Sequence, residues 1–174
     1  MKKQNWNLIV FILSFSLALL FSFLTNKLSY NASNLIMILL ILLVIAIGII
    51  FDMIGVAVLT AKESTFHAMS SKKIKGAKIA TKLIRNNVRV ASFCNDIIGD
   101  ICGIVSGSAG AIIATSLSAN FGFNSFITVL VVTGFISALT IGGKAFGKSI
   151  AVNKSNYILY EFAKVVTDLS FRKK

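Results

Sequence analysis

The chain has 174 residues, 56% of them hydrophobic, a mean hydropathy of +0.83 and a formal net charge of +12. That composition excludes an ordinary soluble globular domain, and the length leaves no room for a membrane bundle plus a large soluble domain, so residues 1–174 are read as one all-α membrane domain. The positive charge would suggest nucleic acid in a soluble protein. Here the bias of Lys and Arg towards the cytoplasmic side of a membrane accounts for it, and no nucleic-acid partner is expected.

Residues 8–24 form an apolar run behind Lys2 and Lys3. The run is long for the core of a signal peptide and no small-x-small cleavage site follows, so it is read as a first spanning helix. Residues 35–59 are the clearest span, interrupted only by Asp52. Residues 60–91 follow, with Lys75, Lys78, Lys82, Arg85 and Arg89 at spacings of 3, 4, 3 and 4, which is one helical stripe. Ile74, Ala77, Ile84, Val88 and Ala91 would form the opposite, apolar side. The pattern predicts a basic amphipathic helix over 72–90 lying on anionic lipid at the inner leaflet, where each base contributes about 1 kcal/mol. No aromatic residues are interleaved to stack on bases, which disfavours RNA.

Residues 93–115 are a weaker span, rich in Gly and Ser and carrying Asp96 and Asp100. Residues 126–141 are a short apolar fourth span. Ser155–Phe171 is predicted as a second interfacial helix, with Tyr157, Ile158, Tyr160, Phe162, Val165, Val166 and Leu169 as its apolar area, closed by Arg172, Lys173 and Lys174. With the N-terminus in the cytoplasm, seventeen of the eighteen bases fall on the cytoplasmic side or its interface, and only Lys27 falls outside. That asymmetry supports four crossings of a bacterial-type inner membrane, with both termini cytoplasmic.

The chain has only six carboxylates, and Asp52, Asp96 and Asp100 lie in or beside apolar stretches. An ionisable group at that depth costs about 2.5–3.5 kcal/mol on insertion scales and often marks an ion path; internal salt bridges are the alternative. Asp96 and Asp100 are four residues apart, on one helix face. With Asn95 they supply hard oxygen ligands of the kind Mg²⁺ and Ca²⁺ prefer. Gly99, Gly103 and Gly107 leave one face of the same helix without side chains, suited to close packing within a bundle or across a dimer. Gly142, Gly143 and Gly147 mark a stretch that would bend or unwind and offer backbone carbonyls to an ion. Cys94 and Cys102 read as small buried hydrophobes. His67 is the single histidine and reads as a surface residue. There is no phosphate-binding loop, nucleotide fingerprint or nucleophile elbow, so an enzyme is not expected.

The order of an apolar span, a Glu-Ser-Thr turn, a basic amphipathic helix, a polar Gly/Ser-rich span and a last span ending in Lys-Ser resembles the transmembrane domain of the CorB/CorC and cyclin-M magnesium (and cobalt) transporters. The likeness covers about residues 36–151 and omits the first span. Lys62-Glu63-Ser64-Thr65-Phe66 stands where the family has a Ser-Glu-Thr-Ala-Leu-like motif. Cys94-Asn95 stands for a Gly-Asn pair, and Gly143-Lys144-Ala145-Phe146-Gly147-Lys148-Ser149 for Gly-Glu-x-x-Pro-Lys-Ser. The resemblance implies a homodimeric transporter of Mg²⁺ or Co²⁺, with the ion held by Ser and Asn side chains and backbone oxygens beside an acid. The family's usual ATP-binding CBS domains have no counterpart here, so no nucleotide site is expected.

Two cations, Lys62 and Lys144, replace a family ligand and acid. A lysine about 6 Å from Mg²⁺ would repel it by roughly 5 kcal/mol at an effective dielectric near 20. Two arrangements follow. Asn95, Asp96 and Asp100 hold the divalent ion, with Glu63 at the inner mouth and Gly143 and Gly147 supplying flexible carbonyls, while the lysines turn to the cytoplasm. Alternatively, Lys62 and Lys144 pair with Asp96 and Asp100 in a neutral, locked bundle, and the chain is a non-transporting scaffold or regulatory subunit.

Overall fold

The computed structural model describes residues 3–31 and 33–171, and the side chains of residues 8–27 and 33–169. Lys2, Arg172, Lys173 and Lys174 of the sequence analysis lie outside the described residues. Every regular element is helical: α1 (Lys3–Asn31), α2 (Asn34–Thr60), α3 (Glu63–Ser71), α4 (Ala77–Arg85), α5 (Asn87–Ser92), a π-helical segment (Phe93–Gly99), α6 (Asp100–Phe121), α7 (Ser125–Asn153) and α8 (Ser155–Phe171). The segment Asn87–Phe121 runs on as one long helix through α5, the π segment and α6. Among the described residues, four helices are long and apolar enough to cross a membrane: Leu8–Lys27 within α1, then α2, Asn87–Phe121 and α7. The third and fourth extend well beyond the predicted 93–115 and 126–141.

The termini of these helices follow local chemistry. Gly122 closes α6 in the left-handed region at φ 68°, which costs glycine nothing. Two residues on, the Asn124 side chain caps α7 by accepting from the amides of Phe126 (3.1 Å) and Ile127 (3.3 Å). Glu63 begins α3, where a carboxylate suits the positive end of the helix dipole.

One packed cluster joins α2, α6 and α7 through Met37, Ile41, Ile45, Ala109, Ile113 and Ile136. A second gathers Ile97, Ile101 and Val105, with Val10 and Leu17 of α1 lying on it. A third builds a cap over the C-terminal end of α2: Ile54 and Val58 meet Phe66 of α3, Ala80 and Ile84 of α4, Cys94, and Leu159 and Ala163 of α8. The outer faces are apolar, with Phe126, Phe135 and Ile141 of α7 each at least 65% exposed.

The cap corrects two expectations. The basic segment 72–90 is not one helix. It breaks at the turn 72–76, where Lys73 and Gly76 take φ 55° and 86°, and again at Asn86 (φ −111°, ψ 27°). Lys75 therefore precedes α4, and Val88 is 70% exposed instead of packed. In α8 the buried stripe is Leu159, Ala163 and Thr167, spaced by four, whereas Tyr157, Val165 and Leu169 face outward. This stripe is the side of α8 that meets α2 and α4.

Glycines set how near α7 comes to α2. A Cβ at Gly147 would stand 2.9 Å from Met53 Cγ and 3.0 Å from Ile49 Cγ2, and one at Gly143 would press on Ile49, whereas Gly134 and Gly142 face open space. Overpacking a close contact costs about 1–3 kcal/mol. Gly147→Val and Gly143→Val are expected to lower the thermal unfolding midpoint in detergent by several degrees, and Gly134→Val and Gly142→Val to leave it unchanged or raised. Equal midpoints for all four would contradict this packing.

Candidate functional site

Three interior or half-interior charges meet where α2, the π segment and α7 converge. Asp52 on α2 is buried, at 2% exposure. The α7 sequence Gly-Lys-Ala-Phe-Gly-Lys repeats a Gly-Lys step every four residues, so Lys144 and Lys148 share a helix face. The two glycines let α7 close on α2, and the lysine after each then reaches an acid. Lys144 Nζ lies 3.0 Å from Asp100 Oδ1. Lys148 Nζ lies 3.4 Å from Asp52 Oδ2. The latter is an ion pair by distance only: its geometry makes no hydrogen bond, and Asp52 Oδ2 is buried without a hydrogen-bond partner. An unmade hydrogen bond at a buried polar atom costs about 1–3 kcal/mol and asks for an explanation.

Asn95 poses the same question one turn away. Its Oδ1 is likewise buried without a partner. It sits over Gly55 of α2, where an added Cβ would lie 2.7 Å from Asn95 Cγ. Gly99 repeats the arrangement: a Cβ there would meet Cys94 O at 3.3 Å, Lys144 Nζ at 3.5 Å and Asp52 Oδ1 at 3.8 Å. Missing side chains on both helices thus leave a seam lined by a carboxylate, a carboxamide, a main-chain carbonyl and the Lys144 ammonium. The π segment spans this stretch. Its wider turn is a local departure from α geometry of the sort often found at functional positions.

The predicted site residues are distributed differently from the expectation. Asn95 faces the seam. Asp100 is paired with Lys144 and points into an open groove of about 360 Å³ between α6 and α7, beside Gly103, Ser137 and Thr140. Asp96 is exposed and has no hydrogen-bond or ion-pair partner among the described residues. Lys62 is exposed too; its backbone amide, not its ammonium, is engaged, donating to Asn156 Oδ1 at 2.9 Å. Glu63 lies in the cap, away from the seam, accepting from Arg85 Nε at 2.9 Å, with His67 Nε2 at 3.0 Å. Gly143 and Gly147 are helical and packed on α2, so they do not unwind to offer carbonyls. Among the described residues no group of three or more His, Cys, Asp or Glu could hold a metal together. The glycine face of α6 is divided as well: Gly99 meets α2 and α7, Gly103 approaches Thr140, and Gly107 faces open space.

Asp52 and Lys148 were absent from the predicted site. The signal for them was available: the one acid in the most apolar span, and the twice-repeated Gly-Lys step. Gly55 and the π segment have no sequence signature. No family model, curated protein or solved structure matches the chain.

The Glu63 contact titrates. Hydrogen bonds from Arg85 first and His67 second hold its carboxyl below the ordinary value of 4.5. A carboxyl depressed on folding stabilises the fold above its unfolded pKa, and the gain is lost as pH falls through the lower, native value. Amide hydrogen exchange in α3 and α4 is therefore expected to be flat from pH 7 to about 5 after correction for intrinsic rates, and to quicken below about pH 4.5. Glu63→Gln should remove that step; a step of equal size in the variant would show that another group causes it.

Proposed function

We propose that the chain is a membrane-embedded, divalent-cation transporter-like protein whose ion engages Asp52 and Asn95 on the seam between α2 and the third long helix. The observation that carries this is that two buried acceptor oxygens near the seam, Asp52 Oδ2 and Asn95 Oδ1, make no hydrogen bond. Both are hard ligands of the kind Mg²⁺ takes, and the class Mg²⁺ or Co²⁺ is what the CorB/CorC resemblance implies. The four long apolar helices and the outward aromatic and aliphatic side chains of α7 support placement in a bilayer.

Lys148 dictates the mechanism. A divalent ion about 4 Å from an ammonium is repelled by roughly 8 kcal/mol at an effective dielectric of 20, twice the unit-charge value. Ion and ammonium are therefore exclusive partners of Asp52. Lys148 has a half-exposed side chain on the last turns of α7, so it has somewhere to go when the ion arrives. In the resting state it acts as a tethered substitute cation that keeps the buried carboxylate neutralised. Asp96, exposed and unpaired on the π segment, would add negative potential at the approach.

One further observation favours a second reading, a non-transporting scaffold that keeps the architecture. Among the described residues, five of the six acids stand within ion-pair distance of a base. Under this reading the lysines are permanent partners of Asp52 and Asp100.

Flux measurements separate the two. In proteoliposomes carrying a Mg²⁺-sensitive dye, the wild type is expected to pass Mg²⁺, Asp52→Asn to lose flux by at least tenfold, and Lys148→Gln to bind Mg²⁺ more tightly than the wild type. Absence of wild-type flux, with Asp52→Asn and Lys148→Gln both lowering the unfolding midpoint, would establish the scaffold.

A further inference from the structure

The turn between α3 and α4 carries a second feature that cation handling does not use. Lys72, Lys73, Lys75 and Lys78 fall within seven consecutive positions that hold no acid. The chain does not simply expose this charge along a helix. It folds the turn back so that Gly76, at φ 86°, seats against α8, where an added Cβ would lie 3.1 Å from Lys164 N and 3.2 Å from Lys164 Cα. Lys73 is held at φ 55°, in the left-handed region that non-glycine residues rarely adopt. Such a backbone conformation persists where surrounding structure enforces it.

The result is a concave site. Lys73, Lys75, Lys78 and Ser70, together with the apolar Ile74 and Ile79, line an open hollow of about 850 Å³ between the turn and α8. That volume lies within the range of small-molecule sites. No side chain caps α4 at Gly76, and the first amide of the helix, Ala77 N, donates to Ile74 O at 3.2 Å. One lysine, Lys75, is already matched by Asp168. Lys73 and Lys78 are exposed and form no ion pair among the described residues. Two lysines without an ion-pair partner among the described residues and a serine thus line one hollow.

We infer that this cavity binds a phosphate monoester or diphosphate group carrying about two negative charges, with Lys73 and Lys78 as its principal ligands. The group's chemistry is that of a doubly charged lipid headgroup or of a soluble phosphate compound. A singly charged phosphodiester would leave one ammonium unmatched. The hollow, not the general positive charge of the face, makes the site selective: Lys82 and Arg89 lie further along the same basic stretch and do not line it.

The test uses the full chain in phosphatidylcholine nanodiscs, which leave both faces open, so the result does not depend on how the protein is oriented in a membrane. Inorganic pyrophosphate is titrated calorimetrically, and phosphatidate or phosphatidylglycerol is added to the discs in separate preparations while the unfolding midpoint is followed. The expected result is saturable pyrophosphate binding or stabilisation by phosphatidate that exceeds that by phosphatidylglycerol. Lys73→Ala with Lys78→Ala should weaken it at least about tenfold, and Lys82→Ala with Arg89→Ala should weaken it less than about threefold. Binding of pyrophosphate alone marks a soluble ligand; a response to phosphatidate alone marks a lipid. Equal losses from the two double variants, or no response to either probe, would overturn the inference. Cation flux is measured separately, so failure here leaves the Asp52 site untouched.

Discussion

Asp52 is a carboxylate that the fold cannot leave alone. It sits at 2% exposure in the most apolar helix of the chain, where an isolated ionised group costs several kcal/mol. Much of the nearby architecture answers that requirement. α7 must carry a cation to it, and must come close enough to α2 for a lysine to reach. Glycine at 143 and 147 permits the approach, and lysine one residue later in each case provides the charge. The same step repeated four residues earlier binds Asp100, so α7 is fastened to α2 and α6 by two ion pairs on one face.

A buried ion pair is seldom a net source of stability, because desolvation offsets the attraction. Its value lies in what it specifies: breaking one partner leaves a charge stranded, so the helices hold one arrangement. The pairing at Asp52 is also incomplete. Oδ2 has an ammonium at ion-pair distance but no hydrogen bond, and Asn95 Oδ1 has nothing. A purely structural pair would be expected to close such gaps. An exchangeable pair, in which a mobile ion takes the place of a tethered one, has reason to leave them.

The long helices were legible in the sequence because hydropathy over some twenty residues outweighs any local detail, and the structure has four apolar helices where four were expected. The cap was less legible. A basic stripe at helical spacing over 75–89 looks continuous, yet the turn at 72–76 interrupts it, because a left-handed Gly76 allows contact with the α8 backbone at Lys164, a partner distant in sequence that no local pattern announces. In α8, Ile158, Tyr160 and Phe162 of the predicted apolar area pack partly on the core, and Leu159, Ala163 and Thr167 are the residues buried outright. At the site, Asn95 was visible as a polar residue entering a span, and the pairing of Lys144 with Asp100 was one of two arrangements the charges allowed. Asp52 was visible as an intramembrane acid but not as a partner of Lys148, since residues 96 positions apart meet only through the packing of Gly143 and Gly147 on Ile49 and Met53.

The central claim is that a divalent cation and the Lys148 ammonium compete for Asp52. Amine-reactive labelling of Lys148, read by peptide mass spectrometry with and without Mg²⁺ at constant ionic strength, tests it most directly. Saturating Mg²⁺ is expected to raise the Lys148 labelling rate severalfold while Lys154, exposed and without an ion pair among the described residues, stays constant. A Lys148 rate indifferent to Mg²⁺ would contradict it, leaving the ion pair as a fixed part of the fold.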